Sequence, residues 1–137
     1  MTKKILINKD TLEFHLTNGK ISYLFRVMEK SNQLEHLYFG KKINHRDNFQ
    51  YLLEREVRPS NNLFEGDHTS SFEHIKQEYP AFGTTDFRYP AHQIRYPQGD
   101  RISDFQYDYF KVFKGKPLLE GLPATYVEDP DEAETLE

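Results

Sequence analysis

The side chains able to do acid–base chemistry are numerous, but their spacing matches no catalytic or metal-binding motif. The 137 residues include 22 carboxylates and six histidines, and the absence of cysteine excludes thiolate ligands and cysteine nucleophiles. His74 is followed by Ile-Lys-Gln-Glu, which is not the HExxH sequence of zinc hydrolases, and the other histidines lack metal-ligand spacing. Two carboxylates can act as acid and base, but spacing alone selects no pair among 22. We therefore expect no catalytic residue, no metal and no cofactor in this chain.

The elements that must position these side chains begin with four predicted strands in the first part of the chain. Apolar and polar residues alternate over 5–7, 12–16, 21–28 and 33–39, as in strands with one buried face. Asn18-Gly19 lies between the second and third of these segments and is the strongest short signal of a β-hairpin. The sequence therefore predicts an antiparallel meander of four strands.

Alternation also predicts which side chains share a face of a strand. In the fourth segment, Leu34 and His36 would lie on one face, and Leu37 and Phe39 on the other. Two further strands are predicted later in the chain, at residues 93–95 and 102–114, and a four-residue turn joins them. The second is apolar on both faces and is expected to be buried between two layers, with Phe105, Tyr107 and Tyr109 on one face and Phe110 and Val112 on the other.

Residues 40–71 break the strand pattern and form a long irregular excursion between strands. A short helical turn is expected within 48–56. A connection of this length inside a compact domain is usually functional or disordered. Its apolar residues argue for order, because they can anchor the segment on the sheet: Phe49, Tyr51, Leu52, Leu53 and Phe64.

The stretch EYPAFGTTDFRYP, which ends at Pro90, contains two prolines and a glycine, which exclude a regular helix. Its four aromatic rings indicate a packing or binding role. Pro80 and Pro90 fix extended backbone angles, and Gly83 permits a sharp turn. Asp86 and Arg88 are two residues apart on an extended segment, so their side chains point the same way and can form an ion pair. We expect this stretch to be a rigid structural brace, with direct ligand contact as the alternative.

Charge and hydropathy exclude several classes of partner. The formal net charge is −4 and the two signs are mixed along the chain, so no electrostatic binding of nucleic acid is expected. The apolar run Ile5-Leu6-Ile7 is far too short for a signal peptide, and no window approaches the roughly 20 apolar residues of a membrane helix. We expect no membrane partner, and the absence of cysteine favours a cytoplasmic location.

Three stretches, in this order and spacing, carry a specific resemblance to a known family. They are QEYPAFGTTDFRYPA, ISDFQY with the following KVFKGKP, and LEGLPATYVEDPDEAETLE. The hairpin TNGKISYLFRVM and the following LEHLYFGKKI extend the match to essentially the whole chain. Together they resemble the N-terminal region of the bacterial α-galactosidases of glycoside hydrolase family 36.

That resemblance implies the organisation of a larger enzyme. In the family, an N-terminal β-supersandwich precedes a (β/α)8 catalytic barrel and a small C-terminal β domain. The enzymes hydrolyse terminal α-galactosides such as melibiose and raffinose with retention, using two aspartates of the barrel. The resemblance implies that residues 1–137 are a single partial domain, with the barrel absent, and that this chain alone is inactive. Family enzymes commonly form tetramers, so a homo-oligomer is expected.

The resemblance also singles out polar residues of the excursion. Sugar recognition uses carboxylates, arginine, histidine and amides for the hydroxyl groups, with an aromatic ring as a platform. Glu54 and Arg55, and Asp67 and His68, supply such groups close to Phe64. The family's pocket-wall residues fall at these positions, at Glu54 and His68 in particular. These four polar residues are therefore expected to line the wall of a substrate pocket, with a solvated loop as the alternative.

The residues and the resemblance together predict an all-β antiparallel sandwich, part of a β-supersandwich, from an α-galactosidase that binds its sugar as the full-length enzyme. The rival interpretation is a free-standing carbohydrate-binding or protein-interaction module. The final residues ETLE favour the first, because a natural module is expected to close its last strand with a turn or a tail. The reading frame after residue 137 distinguishes the two interpretations.

Overall fold

The computed structural model describes residues 4–58, 60–83 and 86–137, and the regular elements in these ranges are almost all β-strands. Two single turns of 3₁₀ helix lie at Gln50–Leu52 and Pro130–Glu132, and no helix in these ranges has the length and apolar character to cross a membrane. The predicted all-β antiparallel class is confirmed. The strands are β1 (Ile5–Asn8), β2 (Glu13–Thr17), β3 (Ile21–Val27), β4 (Leu34–Lys41), β5 (Val112–Lys114) and β6 (Glu134–Leu136).

The first four strands form the predicted meander, in the order β1-β2-β3-β4, with each strand antiparallel to the next. The turn between β2 and β3 contains the predicted Asn18-Gly19 pair. Gly19 has a φ of +87°, which glycine adopts without strain. The side-chain oxygen of Asn18 accepts hydrogen bonds from the main-chain N–H groups of Lys20 and Ile21, each at 3.0 Å. Local turn chemistry therefore fixes the register of this hairpin.

β4 contains a β-bulge that changes the faces predicted for its second half. Leu37 is an extra residue in the ladder, because its two neighbours in β4 pair with successive residues of β3. Phe39 therefore lies opposite Tyr23, and the two ring centroids are 6.1 Å apart. Phe39 shares the face of His36, so the prediction that it shares the face of Leu37 is wrong. The alternation of apolar and polar residues does not show where an extra residue is inserted in a strand.

The excursion covers one face of the four-stranded sheet. Phe49 is fully buried against Leu24 and Leu37. Its main-chain N–H donates to the buried carboxylate of Glu13 at 3.0 Å, just before the 3₁₀ turn at Gln50–Leu52. The short helical turn expected in this stretch is confirmed. Leu52 and Leu53 pack with Phe49 as predicted, but Tyr51 is 59% exposed and does not anchor the excursion.

The other face of this sheet is aromatic. Phe14 of β2 stacks on Phe25 of β3 with ring centroids 4.9 Å apart. Phe110 contacts Phe14 edge-on at 5.4 Å. Tyr23 and His36 continue the aromatic surface, with 6.0 Å between their ring centroids. Phe110 comes from the extended segment that precedes β5, and this segment covers only part of the aromatic face in the described ranges.

The strands predicted after Pro90 are mostly not formed in the described part of the chain. The first, around Ile94, is irregular, and only the last three residues of the second form a strand, β5, which pairs with β6. An alternating pattern predicts an extended segment, but a strand also needs a neighbouring main chain to pair with. The predicted burial on both faces is also wrong, since Phe105, Tyr109 and Val112 are 48%, 57% and 43% exposed.

The main chain of residues 76–78 covers the outer edge of β4 along its first half. The N–H of His36 donates to the main-chain oxygen of Lys76 at 2.7 Å, and the N–H of Glu78 donates to that of Leu34 at 2.9 Å. Unpaired strand edges invite pairing with other chains, so these bonds protect this part of the sheet. They also fix the segment that leads into the brace.

Candidate functional site

The excursion and the turn between β3 and β4 enclose an open cleft of about 340 Å³. One wall is the end of β3 with the turn at 28–31, and the opposite wall is formed by parts of the excursion at 50–55 and 63–70. This volume is in the range of small-molecule sites, about 300–1,000 Å³. We refer to it below as the excursion cleft.

The excursion is held in this position at two points. Phe49 fixes its first part on the sheet, as described above. Leu63 packs its second part against a separate buried cluster of Met28, Phe72 and Ile75. Phe49 is fully buried and Leu63 is partly buried, and these two apolar contacts hold the polar side chains of the excursion against the sheet.

A buried carboxylate with two arginines lies behind the wall of the excursion cleft. Glu35 of β4 is only 3% exposed. Arg26 lies opposite it on β3, and its Nε donates to Glu35 Oε2 at 2.9 Å. Arg55 binds the same carboxylate through both of its terminal nitrogens, with Nη2 at 2.9 Å from Oε2. Two cations share one anion, so the group contributes a net positive charge to the cleft that both arginines line.

Asp67 begins a tight polar turn on the rim of the cleft. Its Oδ1 accepts hydrogen bonds from the main-chain N–H and the hydroxyl of Thr69, each at 2.9 Å, and its Oδ2 accepts one from the Ser70 hydroxyl at 2.6 Å. These bonds, that of the Ser70 hydroxyl first and those of Thr69 next, hold the pKa of Asp67 below its usual range. The carboxylate is therefore ionised, and much of its acceptor capacity is used within its own turn.

An aromatic ring with a cation over it completes the rim. The Nζ atom of Lys30 lies 5.1 Å from the ring centroid of Phe64, a cation–π distance. Both residues line the excursion cleft. The ring predicted as a platform therefore lies at the cleft, with its face in contact with an ammonium group.

Two of the four predicted pocket-wall residues lie on this cleft. Arg55 and Asp67 both line it. Glu54 lies instead on an adjoining crevice, where its Oε1 is 2.7 Å from Lys76 Nζ and its side chain is 73% exposed. His68 is exposed and does not line the excursion cleft. Leu53 and Arg55 line the excursion cleft and Glu54 between them does not, because alternate side chains of an extended segment point to opposite sides.

The contribution of the sheet to this cleft was missed in the sequence. Arg26 of β3 and Lys30 of the turn after it line the cleft, and the buried Glu35 of β4 holds Arg26 and Arg55. A signal was available, since Arg26 and Glu35 are charged residues inside predicted neighbouring strands, and a buried charge needs a partner. That signal points to a pair across β3 and β4, but not to the second arginine from the excursion.

Main-chain hydrogen bonds join residues in the first and last parts of the brace. The N–H of Ala91 donates to the oxygen of Pro80 at 2.9 Å, and Gly83 and Asp86 exchange two main-chain bonds of 2.8 and 3.0 Å. The predicted ion pair of Asp86 with Arg88 forms with two contacts, Nε to Oδ1 and Nη2 to Oδ2, each at 2.9 Å. A two-point contact of this kind fixes orientation as well as charge.

The Asp86–Arg88 pair also connects the brace to the end of the excursion. Burial disfavours the charge of Asp86, but hydrogen bonds from Arg88 and Gln77 outweigh it, so the pKa of Asp86 is lowered. Arg88 Nη2 donates in addition to the main-chain oxygen of Phe72. Since Phe72 belongs to the buried cluster that anchors the excursion, this bond supports the structural role predicted for the brace.

Replacing Gly83 by alanine is expected to lower the free energy of unfolding by about 1–3 kcal/mol. Gly83 has a φ of +103°, and an added Cβ would lie 2.7 Å from Cγ2 of Ile102. Gly66→Ala is the matched control, because Gly66 has a φ of +78° with nothing within 4 Å of an added Cβ. Urea denaturation should show the larger loss for Gly83→Ala. Equal losses would mean that Ile102 moves aside and that only the backbone angle matters.

In the described ranges, no group of three or more histidine, aspartate or glutamate side chains is arranged to hold a metal ion. The excursion cleft offers guanidinium, ammonium and amide donors, the carboxylates of Glu29 and Asp67, and an aromatic ring. Such groups bind and orient a polar ligand with several hydroxyl groups.

Comparison with known protein families identifies the class to which this domain belongs. The model of the glycosyl hydrolase family 36 N-terminal domain matches residues 32–137. The chain therefore belongs to this family, and the resemblance noted in the sequence is confirmed.

Individual relatives are α-galactosidases much longer than this chain. Alpha-galactosidase AgaA of Geobacillus stearothermophilus is 41% identical over 133 residues, which are 97% of this chain and 18% of AgaA. The crystal structure of the alpha-galactosidase from Lactobacillus brevis matches with a TM-score of 0.86 and 34% identity, over 96% of this chain and 18% of that one. A variant of AgaA crystallised in complex with raffinose matches with a TM-score of 0.78 and 42% identity, over 90% of this chain and 17% of that one.

Proposed function

We propose that this chain is the non-catalytic N-terminal portion of an α-galactosidase, and that it contributes one wall of the substrate pocket and part of the subunit interface. The catalytic carboxylates would come from a barrel outside these 137 residues. The substrates would be terminal α-galactosides, and the enzyme would act in the cytoplasm. The proposal is supported by the names of the relatives and by the raffinose complex of one of them.

The observation that carries the proposed pocket role is the composition of the excursion cleft. Arg55 and Asp67 are charged, lie on its walls and are held by hydrogen bonds to neighbouring groups. A sugar hydroxyl can both donate and accept, so a wall with cationic donors and an ionised acceptor suits it. Glu54 and His68 are exposed beside this cleft and would contact the parts of a longer sugar chain that extend beyond it.

The proposed role in assembly is supported by apolar side chains exposed on the segment between β5 and the second 3₁₀ turn. Leu118 and Tyr126 are 94% and 88% exposed. Leu119 and Leu122 are also exposed on this segment. Apolar groups presented together in this way mark surfaces that another polypeptide covers. Other parts of the same enzyme, or a second subunit, would cover these residues.

In the full-length enzyme, Glu54→Ala or His68→Ala is expected to lower kcat/KM for raffinose by about tenfold or more. Losing one hydrogen bond to a charged group costs about 1.5–3 kcal/mol. The loss should be smaller for a small aryl galactoside, because that substrate does not extend past the galactose site. Steady-state kinetics on the two substrates measure the difference.

Lys9→Ala is the control, because Lys9 is exposed on the turn after β1, outside the excursion cleft. It should leave both substrates unaffected. If Glu54→Ala and His68→Ala also match the parent enzyme on raffinose, these residues belong to a solvated loop. The proposed contacts with the sugar would then be wrong.

A further inference from the structure

A second cleft, of about 460 Å³, lies between the β2–β3 hairpin and the chain that follows β4. It shares no lining residue with the excursion cleft. The hairpin contributes His15, Thr17 and Asn18, and the chain after β4 contributes Lys42, Asn44 and His45. We call it the hairpin cleft.

Every ionisable side chain that lines the hairpin cleft is basic. They are Lys4, His15, Lys42 and His45. Among the described residues, no carboxylate lies within 4.0 Å of the ammonium group of Lys42. The ammonium group of Lys4 donates to the main-chain oxygen of Glu132. The cleft is therefore a concave surface of positive charge on a chain whose net charge is −4.

Acidic groups do occur nearby, but they are used elsewhere. The carboxylate of Glu134 accepts hydrogen bonds from the main-chain N–H groups of Lys4 and Ile5, at 2.9 and 3.0 Å. Asp47 faces the crevice on the other side of His45, together with Arg46. Neither Glu134 nor Asp47 lines the hairpin cleft. Its charge is thus left without a counter-ion from the cleft lining.

The two histidines of the hairpin cleft are joined in a defined hydrogen-bond chain. Ser22 is fully buried, and its Oγ accepts from the N–H of Ile43 at 3.0 Å. Within the described ranges, the acceptor for the Ser22 hydroxyl proton is His15 Nε2, at 2.8 Å. We therefore assign the ring proton of His15 to Nδ1, which lies 3.3 Å from His45 Nδ1 and donates to it in this tautomer. Burial first, and then the charges of His45 and Lys42, lower the pKa of His15.

This chain of bonds argues against a metal ion between the histidines. A metal would need the lone pair of His15 Nδ1, which is occupied by a proton as long as Ser22 donates to Nε2. Lys4 and Lys42 would also repel a cation in the same cleft. An anion meets neither obstacle, because the lysines and the side-chain amide groups of Asn18 and Asn44 are donors.

We propose that the hairpin cleft is a binding site for a small oxyanion of the phosphate class. Lys42 and Lys4 supply the charge, and the exposed ring nitrogen of His45 and the amides of Asn18 and Asn44 supply further hydrogen-bond donors. The buried His15 holds His45 in place from behind. The site is separate from the proposed pocket wall and does not depend on it.

Inorganic phosphate is the probe that tests this proposal, with the full-length protein at constant ionic strength and neutral pH. Isothermal titration calorimetry should detect saturable binding, and Lys42→Gln should weaken it by about tenfold or more. Lys9→Gln is the matched control, since it removes the same charge from an exposed position outside the cleft. By linkage, bound phosphate should also raise the pKa of His15, measured by NMR.

The possible outcomes separate this proposal from its alternatives. Binding that Lys42→Gln weakens and Lys9→Gln preserves supports it. The absence of phosphate binding, or equal losses in the two variants, would overturn it. If acetate binds as tightly as phosphate, the site does not select phosphate-class anions, and this part of the proposal is wrong. Binding of Zn²⁺ that His45→Gln abolishes, with no phosphate binding, would show a metal site and refute the proposal.

Discussion

Replacing Glu35 by alanine is expected to lower the free energy of unfolding by about 3–5 kcal/mol. Arg26 and Arg55 are held by this one carboxylate, and their side chains are only 12% and 24% exposed. Removing Glu35 leaves two guanidinium groups close together without their shared anion. Breaking a buried ion pair from one side costs more than the pair contributes, because the remaining charge is not solvated. Urea denaturation of the variant and the parent measures the loss.

Glu54→Ala is the matched control for this prediction. It removes the same kind of side chain from the excursion, but its ion pair with Lys76 is exposed on both sides. An exposed pair contributes about 0–1 kcal/mol, so little change in stability is expected. If Glu35→Ala were also nearly neutral, water would reach the two arginines and the wall of the excursion cleft would not be fixed by this group.

Replacing Phe49 by alanine is expected to cost about 3–5 kcal/mol and to release the excursion from the sheet. Phe49 is the fully buried side chain that connects the excursion to Leu24 and Leu37. Alanine would leave a cavity in the main core of the sheet. The same change should also expose residues 44–58 to proteolysis, which mass spectrometry of a brief digest would detect.

Tyr51→Ala serves as the control for Phe49→Ala. It removes another aromatic ring from the same segment, but Tyr51 is 59% exposed. A loss of about 1 kcal/mol or less is expected, since most of the ring is already in water. Unfolding curves that coincide for the two variants would contradict the view that Phe49 is the anchor.

The fold was predictable wherever local signals agree with the tertiary structure. The Asn18-Gly19 turn and the alternation on both sides of it specify the meander, because hairpin register depends on neighbouring residues. The segment before β5 shows the limit of this reasoning. The alternation of its side chains indicates an extended chain. No signal in the neighbouring residues shows whether another strand lies beside it.

The candidate site was predictable in part for a similar reason. The resemblance pointed to Glu54 and His68 in particular, which do not line the excursion cleft, and to their neighbours Arg55 and Asp67, which do. It did not lead to Arg26 and Glu35, because a charged pair on two strands is recognised only when the strands are placed side by side. Likewise, the Asp86–Arg88 pair was predicted because the two residues are neighbours in sequence, whereas the link from Arg88 to Phe72 required the tertiary structure.

The bulge in β4 determines where homologues can differ in length without rearranging the sheet. Leu37 is the extra residue, so a homologue without it would keep Glu35, Tyr38 and Phe39 on the faces they occupy here. Such a deletion removes one apolar side chain from the core, but β4 then pairs with β3 without a bulge. Loss of His36 would instead place Leu37 opposite Phe25 and turn its side chain away from Leu24 and Phe49. One-residue gaps among family members should therefore fall at Leu37, and alignments that place them nearer to Glu35 would pair residues from opposite faces of the strand.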